Sequence, residues 1–113
     1  MVEETLVSVL KSNSINAYPN VKKEGDNSCL VYQLVSDKPY RNSQGIYLWK
    51  SHYLLSAYST TYSAVKNLAN SVISALDGNK NDFKTSWVTN VNDASDIDAK
   101  LSRVDIDLFI LHD

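Results

Sequence analysis

Glycine is scarce in this chain of 113 residues: Gly25, Gly45 and Gly78 are the only three, and they lie far apart. A loop that cradles phosphate needs glycines within a few positions of one another, so that the backbone can approach the anion; none is present, which counts against a nucleotide-binding fold. Cysteine is scarcer still. Cys29 stands alone, so no intramolecular disulfide forms, and that fits folding in a reducing cytosol. No apolar run reaches the length of a membrane-spanning helix. The opening MVEETLVSVLK carries two glutamates in place of a basic segment and no small-residue cleavage site after it, so a signal peptide is not expected. The two histidines, His52 and His112, belong to no metal-ligand spacing. A formal net charge of −2 offers nucleic acid no general attraction.

What the chain does have is an ordinary globular balance. Hydrophobic residues make up 43% and charged residues 21%, enough for one modest core, and the length points to a single domain over residues 1–113. Charge is uneven along it. From Asp93 to Asp113 six aspartates face only Lys100 and Arg103, which suggests a solvated or partner-facing surface.

Periodicity gives the elements. Leu6, Val9 and Leu10 recur at helical spacing over residues 2–11, with Glu3 and Glu4 where a helix N-terminus favours acids. Tyr18-Pro19-Asn20 reads as a turn or a short extended segment. Residues 29–35, rich in β-formers, predict a strand, and residues 46–58 predict a longer one with Tyr47, Trp49, Tyr53, Leu55 and Ala57 on one face. The polar stretch 37–45 between them suits an exposed hairpin tip. Ser59 or Thr60 then caps a helix over 61–76, with Tyr62, Val65, Leu68, Ala69, Val72 and Leu76 as its apolar stripe and Gly78 closing its last turn. Residues 83–91 and 101–111 predict two more strands. In the last, Val104, Ile106, Leu108 and Ile110 alternate with Arg103, Asp105 and Asp107, the pattern of a strand with one dry face. The expectation is an α+β fold in the order α-β-β-α-β-β, an antiparallel or mixed sheet of about four strands under two helices.

Candidate chemistry is thin. Nothing around Cys29 lowers a thiol pKa, so it reads as a core residue. The run Asp77-Gly78-Asn79-Lys80-Asn81-Asp82 begins like a calcium loop, but the sixth position is Asp82 where glycine is needed and the twelfth is Val88 where glutamate is needed; a helix-ending turn is the better reading. Asp93, Asp96 and Asp98 lie in turn-forming sequence, which reads as a solvated loop and not as an acid–base pair in a cleft. No cofactor and no metal are expected, and no catalytic residue is nominated. Lys38, Arg41 and Lys50 among Tyr40, Tyr47, Trp49 and Tyr53 form the one grouping that fits a single-stranded nucleic-acid platform. Three cations are few for that purpose, and aromatics alternating on a strand more often serve core or interface.

Ala17-Tyr18-Pro19-Asn20 followed by Cys29-Leu30-Val31-Tyr32-Gln33-Leu34-Val35 resembles the opening of the tail terminator, or tail-completion, proteins of long-tailed bacteriophages. The likeness continues through His52-Tyr53-Leu54-Leu55-Ser56-Ala57-Tyr58-Ser59, the helix ending at Ala75-Leu76-Asp77-Gly78, and Arg103-Val104-Asp105-Ile106-Asp107-Leu108-Phe109-Ile110. Cys29 departs from the proline or small residue more usual there, and residues 79–98 match no part of the pattern. The resemblance implies a virion protein made in the host cytoplasm, with no membrane and no catalytic site. It further implies a hexameric ring that caps the tail tube, stops tube growth and meets the head connector, the genome passing through its lumen without specific recognition. A ring needs two different complementary surfaces per subunit. Lys38, Tyr40, Arg41, Tyr47, Trp49, Lys50, Asp96 and Asp98 are the candidate contacts. The alternatives are a head–tail adaptor subunit and, from another class, a small single-stranded nucleic-acid-binding module.

Overall fold

The alternation in the last strand sets the architecture. The structure, a computed structural model, describes residues 2–20, 28–42, 45–80, 83–93 and 102–112, with the side chains of Asn42, Ile46 and Tyr47 left aside. Strand β5 (Ser102–His112) buries Val104, Ile106, Leu108 and Ile110 completely. Each aliphatic side chain so removed from water contributes about 1.5–3 kcal/mol. Its neighbour β3 (Gly45–Ser59) sets Tyr53 opposite Leu108, Leu55 opposite Ile106 and Ala57 opposite Val104, so the two strands share one dry face. On the other side of β3, β2 (Cys29–Asn42) adds Leu30 opposite Ala57 and Tyr32 opposite Leu55.

Helix α1 (Val2–Ser12) and helix α2 (Tyr62–Leu76) close that face. Leu6 and Leu10 come from α1, and Val65, Ala69, Val72 and Leu76 from α2, into the same cluster. Thr61 caps α2, accepting the Ala64 N–H on its hydroxyl at 3.1 Å. Ser59 and Thr60 do not, because β3 runs through Ser59, which pairs with Ser102 and is buried. Tyr62, expected on the apolar stripe, is 55% exposed: it opens the helix just past the last rung of the sheet, and the Lys66 ammonium lies 5.3 Å from its ring centroid. At the other end the Asp77 N–H donates to the Ile73 carbonyl, and Gly78 takes φ +70°, the left-handed geometry that ends a helix.

Three differences from the sequence reading concern the sheet. It has five strands, because Ala17–Pro19 forms a three-residue strand, β1, parallel to β2; with β4 over Thr85–Asp93 the order is β1-β2-β3-β5-β4. The Leu30 N–H donates to the Asn16 carbonyl at 2.8 Å, and the Asn20 N–H to the Tyr32 carbonyl at 2.9 Å. The sheet is therefore mixed, and the fold is α+β in two layers. The stretch 37–45, read as a hairpin tip, is also mostly strand: β2 continues to Asn42, which pairs with Gly45. Strand β4 (Thr85–Asp93) lies two residues later than expected, and Phe83 is buried just ahead of it.

Candidate functional site

The extended hairpin produces the most conspicuous feature of the surface. The last rung between β3 and β5 is Trp49 with His112; beyond it, β3 from Gly45 to Leu48 pairs only with β2. A two-stranded arm therefore projects past the body. The molecule measures 52 × 25 × 22 Å with a radius of gyration of 14.7 Å, against about 13 Å for a compact chain of this length. A two-stranded ribbon has no core of its own and is marginal in water. Lys38 and Lys50 face each other at the root of the arm, inside the last rung, and Arg41 and Tyr40 lie beyond it; Tyr40 is 43% exposed.

The root of the arm is clamped across three strands. Ser51, fully buried, donates its hydroxyl proton to Asp37, and its oxygen lies 2.7 Å from His112 Nε2. A hydroxyl has one proton. With that proton directed to the Asp37 carboxylate, the serine oxygen can still accept from the tautomer of His112 that carries its proton on Nε2. The grouping ties β2, β3 and β5 together at the root of the arm.

On the sheet face away from the helices, Trp87, Phe109 and His52 from β4, β5 and β3 form a row of stacked rings, with centroids 5.8 Å apart for Trp87–Phe109 and 4.4 Å for His52–Phe109. The Lys50 ammonium sits 4.5 Å from the Phe109 centroid and 5.7 Å from that of Trp87. His52 Nε2 is 2.9 Å from Asp107. One strand pair on, Asp105 accepts from Ser56 at 2.8 Å and from both Arg103 Nε and a terminal nitrogen, at 2.8 and 3.1 Å. Such partly exposed pairs contribute about 0–1 kcal/mol each; their larger effect is to fix the register of that face. On the dry face, burial pushes the Tyr53 hydroxyl up to about 12, helped by the negative charges of Glu3 and Asp37 and by Tyr32. Tyr32 is raised by burial and then by Glu3.

Among the described residues, the expected contacts fall on two faces of the sheet. By strand alternation Lys38, Tyr40 and Lys50 stand on the uncovered face, while Trp49 lies with Tyr53 on the helix side. Lys38, Tyr40 and Arg41 are exposed and Trp49 and Lys50 half-buried. Lys50 already has two aromatic partners. The side chain of Tyr47 and the whole of Asp96 and Asp98 lie outside the described residues. The supposed nucleic-acid platform divides for the same reason: Tyr53 is 1% exposed in the core, and Tyr40 and Trp49 are on opposite faces of the ribbon. The row of Trp87, Phe109 and His52 was missed. Alternation in β5 does place Phe109 on the wet face, but which strands flank it is not encoded in any local pattern.

Both edges of the sheet are blunted. Along β4 the Gly78 N–H donates to the Ser86 carbonyl at 2.7 Å, and the Val88 N–H donates to the Asp77 carboxylate at 2.9 Å. The Ser86 hydroxyl in turn donates to the Leu76 carbonyl. The end of α2 thus occupies two of the groups that another strand would seek, at the start of β4, and the run read as a possible calcium loop carries this cap in Asp77 and Gly78. Beyond β1, the edge of β2 is interrupted by an irregularity between Leu34 and Ser36. It also carries Pro39, whose position opposite Trp49 has its backbone facing away from β3. Bulges, proline and local capping are the usual protections against strand addition. Among the described residues no three His, Cys, Asp or Glu side chains gather as a metal site, and no helix is long and apolar enough to cross a membrane. Cys29 is buried.

No family model matches the chain, and no curated protein matches it. Among solved structures it is similar to a chain of the virion of a native gene transfer agent particle. The TM-score is 0.63 at 14% identity, over 94% of this chain and 82% of that one. At that identity the likeness is one of fold.

Proposed function

We propose that this chain is a structural virion subunit of the tail-terminator kind. In this reading it closes as a ring, hexameric by the resemblance of its sequence, at the end of a phage-like tail tube. There it stops tube growth and meets the head connector, with the genome passing through the lumen. It makes and breaks no bonds. Support comes from the fold shared with a gene transfer agent virion chain and from the order of the sequence segments that resemble tail terminators.

The observation that carries the reading is the arm: a ribbon beyond the last rung of β5, with Tyr40 and Arg41 exposed on it and Lys38 and Lys50 at its root, is a contact element awaiting a partner. Lys38, Tyr40 and Arg41 are assigned to that contact, with Tyr47, Trp49 and Lys50 behind them and Asp96 and Asp98 as opposing acids. Exposed charge pairs contribute about 0–1 kcal/mol each, so packing of the aromatics dominates affinity.

Native mass spectrometry over a concentration series, with negative-stain imaging of the largest species, tests the reading. The expected result is a closed ring of six that Tyr40→Ala weakens without changing the thermal melt. A protomer that stays solitary at every concentration rejects the proposal.

A further inference from the structure

The sheet narrows abruptly where the arm begins. At Ser51, β3 still lies between two neighbours, opposite Asp37 of β2 on one side and Ile110 of β5 on the other. Past the rung of Trp49 with His112, only β2 remains beside it. The irregularity between Leu34 and Ser36 falls just before this point in β2, and a bulge bends its strand and breaks the local ladder. On the face away from the helices Lys38 stands directly opposite Lys50, and like charges so placed weaken strand pairing. Together these features make the root of the arm the natural hinge of the molecule.

Side chains span that hinge on both faces. Away from the helices, the Lys50 ammonium lies over the rings of Phe109 and Trp87, 4.5 and 5.7 Å from their centroids, which ties β3 to β5 and β4. On the helix side, the buried Ser51 hydroxyl donates to the Asp37 carboxylate, and its oxygen lies 2.7 Å from His112 Nε2. A hydrogen bond to a carboxylate is stronger than a neutral one, and bonds in a chain polarise one another. We infer that Asp37, Ser51 and His112 act as a positioning clamp that holds the arm at one angle to the body. The clamp grips β2 just past the bulge, β3 opposite, and β5 at its last rung, so the ribbon cannot swing out of line without breaking it. The clamp itself stands apart from the ring reading; its use in assembly rests on that reading, since a ring closes only when each subunit presents its contact at a set angle.

Amide hydrogen–deuterium exchange tests the clamp on single chains, with samples diluted until native mass spectrometry shows no larger species. Ser51→Ala removes the shared hydroxyl. His112→Gln keeps an N–H donor near the place of Nε2, and His112→Leu fills similar space without one. Peptides covering residues 38–49 are expected to exchange about tenfold faster in Ser51→Ala and His112→Leu, the effect of losing hydrogen bonds at the hinge. His112→Gln is expected to follow the parent, and peptides over residues 104–110 to keep the parent rate in every chain. Should Ser51→Ala loosen the body as well, the two His112 variants decide. Equal exchange of the arm in parent and variants overturns the clamp, and so does the same acceleration in His112→Gln and His112→Leu. At assembly concentrations Ser51→Ala is expected to give open or mixed species in place of one ring; closed rings of a single size from a chain with a loosened arm overturn the positioning role. A parent chain that never assembles rejects the ring reading and leaves the clamp to be judged by exchange alone.

Discussion

Tyr53 lies at the centre of the sheet, 1% exposed, and its hydroxyl pKa stands at about 12 against an ordinary 10. The proton is bound more tightly in the folded than in the unfolded chain. Between pH 10 and 12 the unfolded state therefore holds fewer protons at this site, and the slope of unfolding free energy with pH is negative. The contribution is fully present below about pH 10 and disappears as pH rises through 12. At pH 11 the loss is about 1.4 kcal/mol, and beyond pH 12 it approaches about 2.7 kcal/mol, two pKa units at 1.36 kcal/mol each. Other tyrosines, lysines and arginines also titrate there, so the useful measurement is a difference. Urea unfolding of the parent chain and of Tyr53→Phe, followed by far-ultraviolet circular dichroism at half-unit steps from pH 8 to 11.5, isolates the site. A constant offset from the lost hydroxyl is expected at pH 8–9.5, and above that range the gap between the two proteins shifts in favour of the variant by about 1.4 kcal/mol at pH 11. Parallel stability curves across the whole range refute the placement of that hydroxyl in a dry, negatively charged setting.

Leu108→Ala empties a fully buried position between β3 and the helices, and a loss of about 2–5 kcal/mol in urea unfolding with an unchanged m-value is expected. Thr61→Ala removes the hydroxyl that caps α2 and should lower stability by about 1 kcal/mol, visible as a lower melting temperature. Asp77→Ala strips the acceptor from the Val88 N–H and reopens the β4 edge. Faster aggregation in a light-scattering assay at a concentration where the parent chain stays clear is the expected result, and equal rates discard the capping role of Asp77.

Much of the fold is legible in the sequence because its core uses clean periods. Val104, Ile106, Leu108 and Ile110 alternate at period two, and Val65, Ala69, Val72 and Leu76 recur at helical spacing; all eight are buried. The errors fall where local pattern and tertiary pairing part. Residues 37–42 carry Asp37, Lys38 and Pro39, a turn composition, yet they remain in strand because β3 continues alongside and the proline falls where its missing N–H is not required. Ala17–Pro19 is too short to show a period at all and is strand only because β2 offers it an edge. The clamp of Asp37, Ser51 and His112 and the row of Trp87, Phe109 and His52 each draw on three strands distant in sequence. Neither exists until the order β2-β3-β5-β4 is set.

That order also bears on how copies in the proposed ring assemble without running away. A mixed sheet with a bare edge adds strands from any neighbour, and growth by that route has no natural end. Here the end of α2 holds the Ser86 carbonyl and the Val88 N–H, and the bulge and proline of β2 interrupt the opposite edge. In the proposed ring, contact falls to side chains on a projecting ribbon, whose fit to a neighbour depends on shape, and not on the generic hydrogen bonding of a backbone. Such a fit fixes the angle between successive copies. A fixed angle lets a series of copies close, and closure is the property a terminating ring requires.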